Sequence, residues 1–339
     1  MNSKRLTAAC LLAALLAAPA ARANDSTAEL STGGLVLKKH AGIAMKSEDL
    51  FISEREVRVD YRFLNTTRQD VRVLVAFPMP DIVIEGIDDM LAIPTEDPQN
   101  ILDFHTRVDG RPVKAQIEQK AVDAKGVDRT ALLKSLGVPI APHLQGVRDA
   151  LDHLPPASRA KLRALDMTVD DDFDAGKGQE HHLAPHWTLK TTYYWEQVFP
   201  AGRELRVEHR YKPSVGGTSG TGLESPDYRA SKDFRTYQAD YCIEPSFLAA
   251  VDAAKRRAGA NAQAYFEKRI AYVLKTGANW KAPIGDFHLT IDKGRADNLV
   301  SFCAKGVKKT SPTRFEMQRQ NFLPTRDLKI LILQPVDAQ

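Results

Sequence analysis

Residues 62–81 read RFLNTTRQDVRVLVAFPMPD, and the phase of this stretch decides the fold class. Upstream, in EVRVDYRFLN, Val57, Val59, Tyr61 and Phe63 point one way and Arg58, Asp60 and Arg62 the other. Val71, Val73, Val75 and Phe77 resume the alternation after a polar turn at Asn65–Asp70. A period of two is the pattern of half-buried antiparallel strands. Turn residues such as Asn, Thr and Asp hydrogen-bond their own backbone, which suits the break between the runs. Proline donates no amide hydrogen to a ladder, so Pro78 and Pro80 predict the end of the second strand. Phe77 is then its last core-facing anchor.

Further β pairs are expected on both sides. Short runs at Leu35–Lys38 and Ile43–Lys46 come before the quoted stretch. After it, ILDFHTRVDGRPVKAQIEQ carries Asp109-Gly110, a strong hairpin signal. The pattern changes between about 126 and 186. DRTALLKSLG, HLQGVRDALDHL and PASRAKLRALD have helical spacing, with Gly137 as a stop and Pro155-Pro156 between helices. VDDDFDAGKGQEHHLAPH then reads as a polar loop. Strands return at TLKTTYYWEQVF and ELRVEHRYKP. A glycine-rich connection follows at Val215–Asp227. Two helices are expected beyond it, at about Ser246–Arg257 and Ala262–Thr276, the second with Gly277 as its C-cap. DFHLTID, NLVSF, TRFEMQR and DLKILIL close the chain as strands.

The expected fold is α+β and β-rich. It is an antiparallel β-sandwich over 24–215 with a helical insertion at about 126–186. Residues 216–339 add the glycine-rich connection and a helix pair packed on an antiparallel sheet.

Bulk composition narrows the function. The chain has 339 residues, 43% hydrophobic and 27% charged, as in soluble globular proteins. Lys4 and Arg5, a short apolar run and Ala21-Arg22-Ala23 make residues 1–23 a signal peptide, cut between Ala23 and Asn24. Removing its three positive charges takes the formal charge from +4 to +1. That leaves no basic excess for a nucleic-acid partner. No later stretch is apolar for long enough to span a bilayer. The expected location is the periplasm or the extracellular space. Cys10 lies in the leader, and Cys242 and Cys303 form an even pair, so one disulfide is expected in an oxidising compartment.

NDSTAELSTGGLVL, SEDLFIS, VAFPMPDI, YYWEQVFPAG, VEHRYKPSVGG and WKAPIGDFHLTIDKG resemble, in this order, domain of unknown function family 4424 of exported bacterial proteins. The resemblance covers essentially the whole chain after the leader and brings no catalytic residues with it. More weakly, Asn65, Phe77, Pro78, Pro80, Gly110 and Arg111 resemble the vault/inter-alpha-trypsin-inhibitor β-sandwich domain. That similarity implies a sandwich and nothing about activity.

Chemical motifs are sparse. His181, His182 and His186 stand near Glu180 and an Asp run, residue types that zinc, copper or nickel would take. H-E-x-x-H is absent, and Pro185 separates His182 from His186, so a solvated loop is the plainer interpretation. Ser219 sits among glycines, but Thr221 breaks G-x-S-x-G. Phosphate and dinucleotide loops are missing, and no cofactor is expected. Trp195, His209 and Tyr211 are the candidate binding surface, as aromatics near a polar rim. The leading expectation is a non-enzymatic binding or assembly protein whose partner is an envelope protein or glycan. The alternative is a metal-dependent or carboxylate-based hydrolase acting on an envelope substrate.

Overall fold

The structure is a computed structural model and describes residues 26–31, 34–83, 90–174, 176, 178–259 and 261–336. The expected leader and Cys10 lie outside the described residues. In chain order the elements begin with β1 (Ser26–Ser31), β2 (Gly34–Lys38), β3 (Ile43–Ser53), β4 (Val57–Asn65) and β5 (Val71–Pro78). They continue with β6 (Met90–Ala92), β7 (His105–Val108), β8 (Arg111–Val113) and β9 (Gln116–Val122). Three helices follow, α1 (Thr130–Ser135), α2 (Gln145–Asp152) and α3 (Pro156–Ala164). Then come β10 (Thr168–Asp174), β11 (Gln179–Pro185), β12 (Thr188–Phe199), β13 (Glu204–Tyr211) and β14 (Val215–Thr218). The second helical group is α4 (Pro226–Ala230), α5 (Lys232–Tyr241) and α6 (Pro245–Ala258). The chain ends with β15 (Tyr265–Tyr272), β16 (Ile284–Asp292), β17 (Leu299–Phe302), β18 (Lys308–Lys309), β19 (Arg314–Phe322) and β20 (Leu328–Pro335).

Three large sheets share one core. The widest has the order β18-β19-β16-β3-β4-β13-β7-β8. Its inner face meets β2-β1-β5-β12-β9 and β17-β20-β15-β14-β6. Tyr61 and Phe63, Val75 and Phe77, and Ile270, Tyr272 and Ile330 are fully or almost fully buried in that common core. All described pairings are antiparallel except β3 with β16. Strands from both sides of residue 215 share the widest sheet, so no break between sheets falls there.

The opening stretch turns out to be a corner rather than a hairpin. β4 and β5 lie in different sheets, and the Asn65–Asp70 turn carries the chain between them. Asn65 is fully buried. Its side-chain Nδ2 donates to the carbonyls of Gln69 at 2.8 Å and Phe199 at 2.7 Å. Its side-chain oxygen accepts from the Thr67 amide at 2.9 Å. The second corner, from β12 to β13, runs alongside, with Ala201 N donating to Asp70 at 2.8 Å. A buried asparagine with its polar groups bonded fixes where both strands change sheet.

β5 ends at Pro78, but the chain does not leave the sheet there. The Met79 amide donates to Thr191 O at 2.8 Å and the Ile82 amide to Leu189 O at 3.0 Å. Pro78 and Pro80 flank Met79, so their missing N–H groups face away from β12, where the ladder does not need them.

The helices form satellite cores. α1, α2 and α3 bury Leu133, Val147, Leu151 and Leu162 with Trp187 and Leu183. Phe234, Tyr241 and Val251 of α5 and α6 pack on Tyr265, Leu331 and Leu333.

Two expectations at the element level are corrected. The helix pair on the C-terminal sheet is α5 with α6, and residues 262–276 hold β15 and the start of a 3-10 turn. Phe266, Ile270, Val273 and Leu274 fit a helical stripe over so short a window, but pairing with β14 and β20 on both edges makes the segment a strand. The polar stretch 169–186 belongs to the β10–β11 hairpin, not a loop. Leu183 is fully buried there, and buried Asp171 is ion-paired with Arg148.

Candidate functional site

The residues expected to form an exposed surface lie inside. Trp195, His209 and Tyr211 are only 2–3% exposed. In β12 the buried phase is Leu189, Thr191, Tyr193 and Trp195, which leaves Tyr194 half-buried on the other face. His209 sits among the rings of Phe77 (4.8 Å), Phe104 (5.1 Å) and Trp195 (5.3 Å), with Nδ1 3.0 Å from the Thr106 hydroxyl. The Tyr211 hydroxyl is buried without a hydrogen-bond partner among the described residues. Burial pushes its phenol pKa upward. Tyr211→Phe is therefore expected to leave stability unchanged or raise it by about 1 kcal/mol, because a desolvated hydroxyl is removed. Chemical denaturation measures this, and a loss above about 1 kcal/mol would show that the hydroxyl is bonded.

The three histidines of this stretch do not converge. Each has its own carboxylate: His181 with Asp172 at 3.0 Å, His182 with Asp152 at 2.6 Å and His186 with Asp166 at 3.2 Å. Among the described residues no group of three His, Cys, Asp or Glu side chains is arranged to hold a metal ion.

His182 does more than its neighbours. Nε2 also meets Glu180 at 3.2 Å, and Asp152 additionally accepts the Leu183 amide at 3.0 Å. Asp152 first, then Glu180, raise the His182 pKa above 6.5. The charged ring thus clips the β10–β11 hairpin to the end of α2. A raised folded-state pKa gives a contribution fully present below the unfolded value, about 6.5, and lost as pH rises through the folded value. Protection of the Leu183 amide from hydrogen exchange should fall over that window in the native protein. It should show no such step in His182→Gln, and a step retained in that variant would assign the effect elsewhere.

The wide concavity lies on the outer face of the largest sheet, about 820 Å³ in volume. Asp49, Phe51, Arg58, Asp60, Arg107, Arg206, Glu208, Arg210, His288, Arg314 and Glu316 are among the residues that line it. Strand register sorts these charges into rows. Across β4 and β13, Arg58 lies opposite Arg210, Asp60 opposite Glu208 and Arg62 opposite Arg206. The middle row extends to Asp49 on β3, opposite Asp60, and ends at Arg107 on β7, opposite Glu208. His105 on β7 lies opposite Arg210 in the flanking row. A band of three carboxylates therefore lies between bands of guanidinium groups, about 7 Å apart along the strands.

Bonds run between the bands rather than along them. Arg206 Nε donates to Asp60 at 2.8 and 3.0 Å, and its Nη2 lies 3.0 Å from Glu208. The Asp60 carboxylate raises the Arg206 pKa further. Glu56 takes both Arg58, at 3.0 Å, and Arg210. Arg58 and Arg314 approach the Phe51 ring to 4.6 and 6.0 Å. Such a surface offers forked donors beside acceptor carboxylates, which suits recognition of a charged ligand.

Arg58, Asp60 and Arg62 fall on the polar phase of β4 in the sequence, where no known motif marks them as a site. The available signal was the repeated charge order, R-x-D-x-R at 58–62 and R-x-E-x-R at 206–210. Only the register, across some 140 residues of chain, shows that like lies opposite like.

The fold is a β-rich assembly of antiparallel sheets with two helical additions, its widest sheet carrying a banded charged face. The chain belongs to the family described as Domain of unknown function (DUF4424), which matches residues 23–331. No curated protein matches the chain. A crystal structure from Legionella pneumophila subsp. pneumophila str. Philadelphia 1, provisionally described as a nutrient binding protein, is 15% identical to it. That match covers 92% of this chain and 70% of the other, with a TM-score of 0.42.

Proposed function

We propose that the protein is an exported, non-enzymatic binding or assembly protein of the cell envelope that holds a charged glycan or protein on its banded sheet face. The observation that carries this reading is the like-charge register of β4 and β13. Like charges directly opposite one another cost stability, where opposite charges would contribute about 0.2–1 kcal/mol per pair. The ion pairs of Arg206 with Asp60 and Glu208, and of Glu56 with Arg58 and Arg210, offset part of this cost, and a ligand of complementary charge would offset the rest. The basic start, apolar run and Ala21-Arg22-Ala23 of residues 1–23 support export.

Affinity capture from envelope extract tests both parts. The exported native protein, with Asn24 as its first residue, should retain a species that Arg58→Glu/Arg210→Glu releases, and added salt should weaken the retention. Identical capture by native and charge-reversed protein would overturn the assignment of this face. Material retaining residues 1–23 would overturn export.

A further inference from the structure

We infer that the groove between β6, β14 and β15 is a second binding site, separate from the charged face, that takes a small amphiphilic carboxylate. The groove has a volume of about 830 Å³, within the range of small-molecule sites. Leu91, Pro94, Pro213, Val215 and Phe266 supply apolar walls. Phe266 leaves 37% of its surface exposed, unusual for a phenylalanine on a paired strand. Gly217 lies opposite Lys268 and carries no side chain, so the floor there is strand backbone. A glycine inside a strand is a common mark of close approach by another group.

Charge selects the head group. The acids of the groove are already satisfied. Glu54 is paired with Lys268. Glu267 accepts from Thr221 at 2.8 Å, Tyr237 at 2.5 Å and Arg269 at 3.1 Å. Lys212 is held by Asp103 at 3.0 Å. Arg55, exposed at the rim, makes no ion pair among the described residues. An unpaired guanidinium above an apolar trough matches a ligand with an apolar body and one carboxylate, which Arg can take bidentately. A cationic head would meet Arg55 and find no vacant acid.

Calorimetry with decanoate, kept below its micelle threshold, reads the site directly on the native protein. One equivalent should bind saturably. Arg55→Gln should weaken it about tenfold, the loss of one charge-assisted contact. Decyltrimethylammonium should bind native protein no better than decanoate binds that variant. Arg58→Glu/Arg210→Glu should leave decanoate affinity unchanged, which keeps this site distinct from the charged face. Absence of saturable decanoate binding, equal affinity for the cationic analogue, or indifference to Arg55→Gln would each overturn the inference.

Discussion

Phe77→Ala should lower stability by about 3–5 kcal/mol. The ring is fully buried and lies where the sheets meet. It stacks on Phe104 at 5.3 Å and packs against His209 at 4.8 Å, Tyr211 at 6.0 Å and Tyr272 at 6.3 Å. Phe104, His209 and Tyr211 belong to the widest sheet and its loops and Tyr272 to the sheet of β15, so Phe77 on β5 joins all three large sheets, and truncation loses transfer energy and leaves a cavity that no single element can close. The neighbouring Pro80→Ala should cost about 1 kcal/mol or less, since it mainly frees the unfolded chain. Guanidinium denaturation separates the two: the Phe77→Ala midpoint should fall with the slope unchanged. An unchanged midpoint, with loss of a captured partner, would make FPMPD a recognition stretch and refute the core assignment.

The legible parts of this molecule are those where one local pattern had one physical outcome. Val57 to Phe63 and Val71 to Phe77 alternate over whole strands, and both became strands: β4 buries its expected face throughout, while β5 buries Val75 and Phe77, leaves Val71 and Val73 half-buried and also buries Ala76 and Pro78 on its other face. Asp109-Gly110 became a turn with positive φ at both residues, as that dipeptide favours. The helix expected at Ser246–Arg257 matches α6 within a residue. Failures came where local pattern was degenerate. Residues 265–274 satisfy both periods, and only the strands on either side chose between them. The β10–β11 hairpin has few apolar residues and is held by charged contacts, which a hydrophobic pattern does not register. Adjacent Tyr194 and Trp195 had to face opposite ways, and sequence could not say which faced inward. The charged face is the strongest example. Each strand shows its polar phase in sequence, but the rows exist only because β4 pairs with β13, and that register is set where the exposed turn at Gly202 bonds to the buried corner at Asn65.

Removing the Cys242–Cys303 disulfide should cost up to about 4 kcal/mol, the chain-entropy figure for a loop of this length. The bridge spans 61 residues and ties the end of α5 to the end of β17, beside β20. It also sits on an unusual backbone position. Cys242 caps α5 in the left-handed region at φ 51°, and the Ile243 amide closes the turn onto Gln238 O at 3.1 Å. Glycine is the residue such a C-cap favours, and a side chain there costs about 1 kcal/mol. The cost is tolerated because the sulfur at this point reaches Cys303. Two double variants therefore differ in a predictable way. Cys242→Ser/Cys303→Ser loses the cross-link and keeps the strained cap. Cys242→Gly/Cys303→Ser loses the same cross-link and relieves the cap, so it should be the more stable of the two by about 0.5–1 kcal/mol. Thermal denaturation of the oxidised protein and both variants orders the three. If the glycine variant is no more stable than the serine variant, backbone strain at Cys242 is not part of the balance. If both equal the oxidised protein, α5 is held to the sheet by Phe234, Tyr241 and the rest of its apolar face alone.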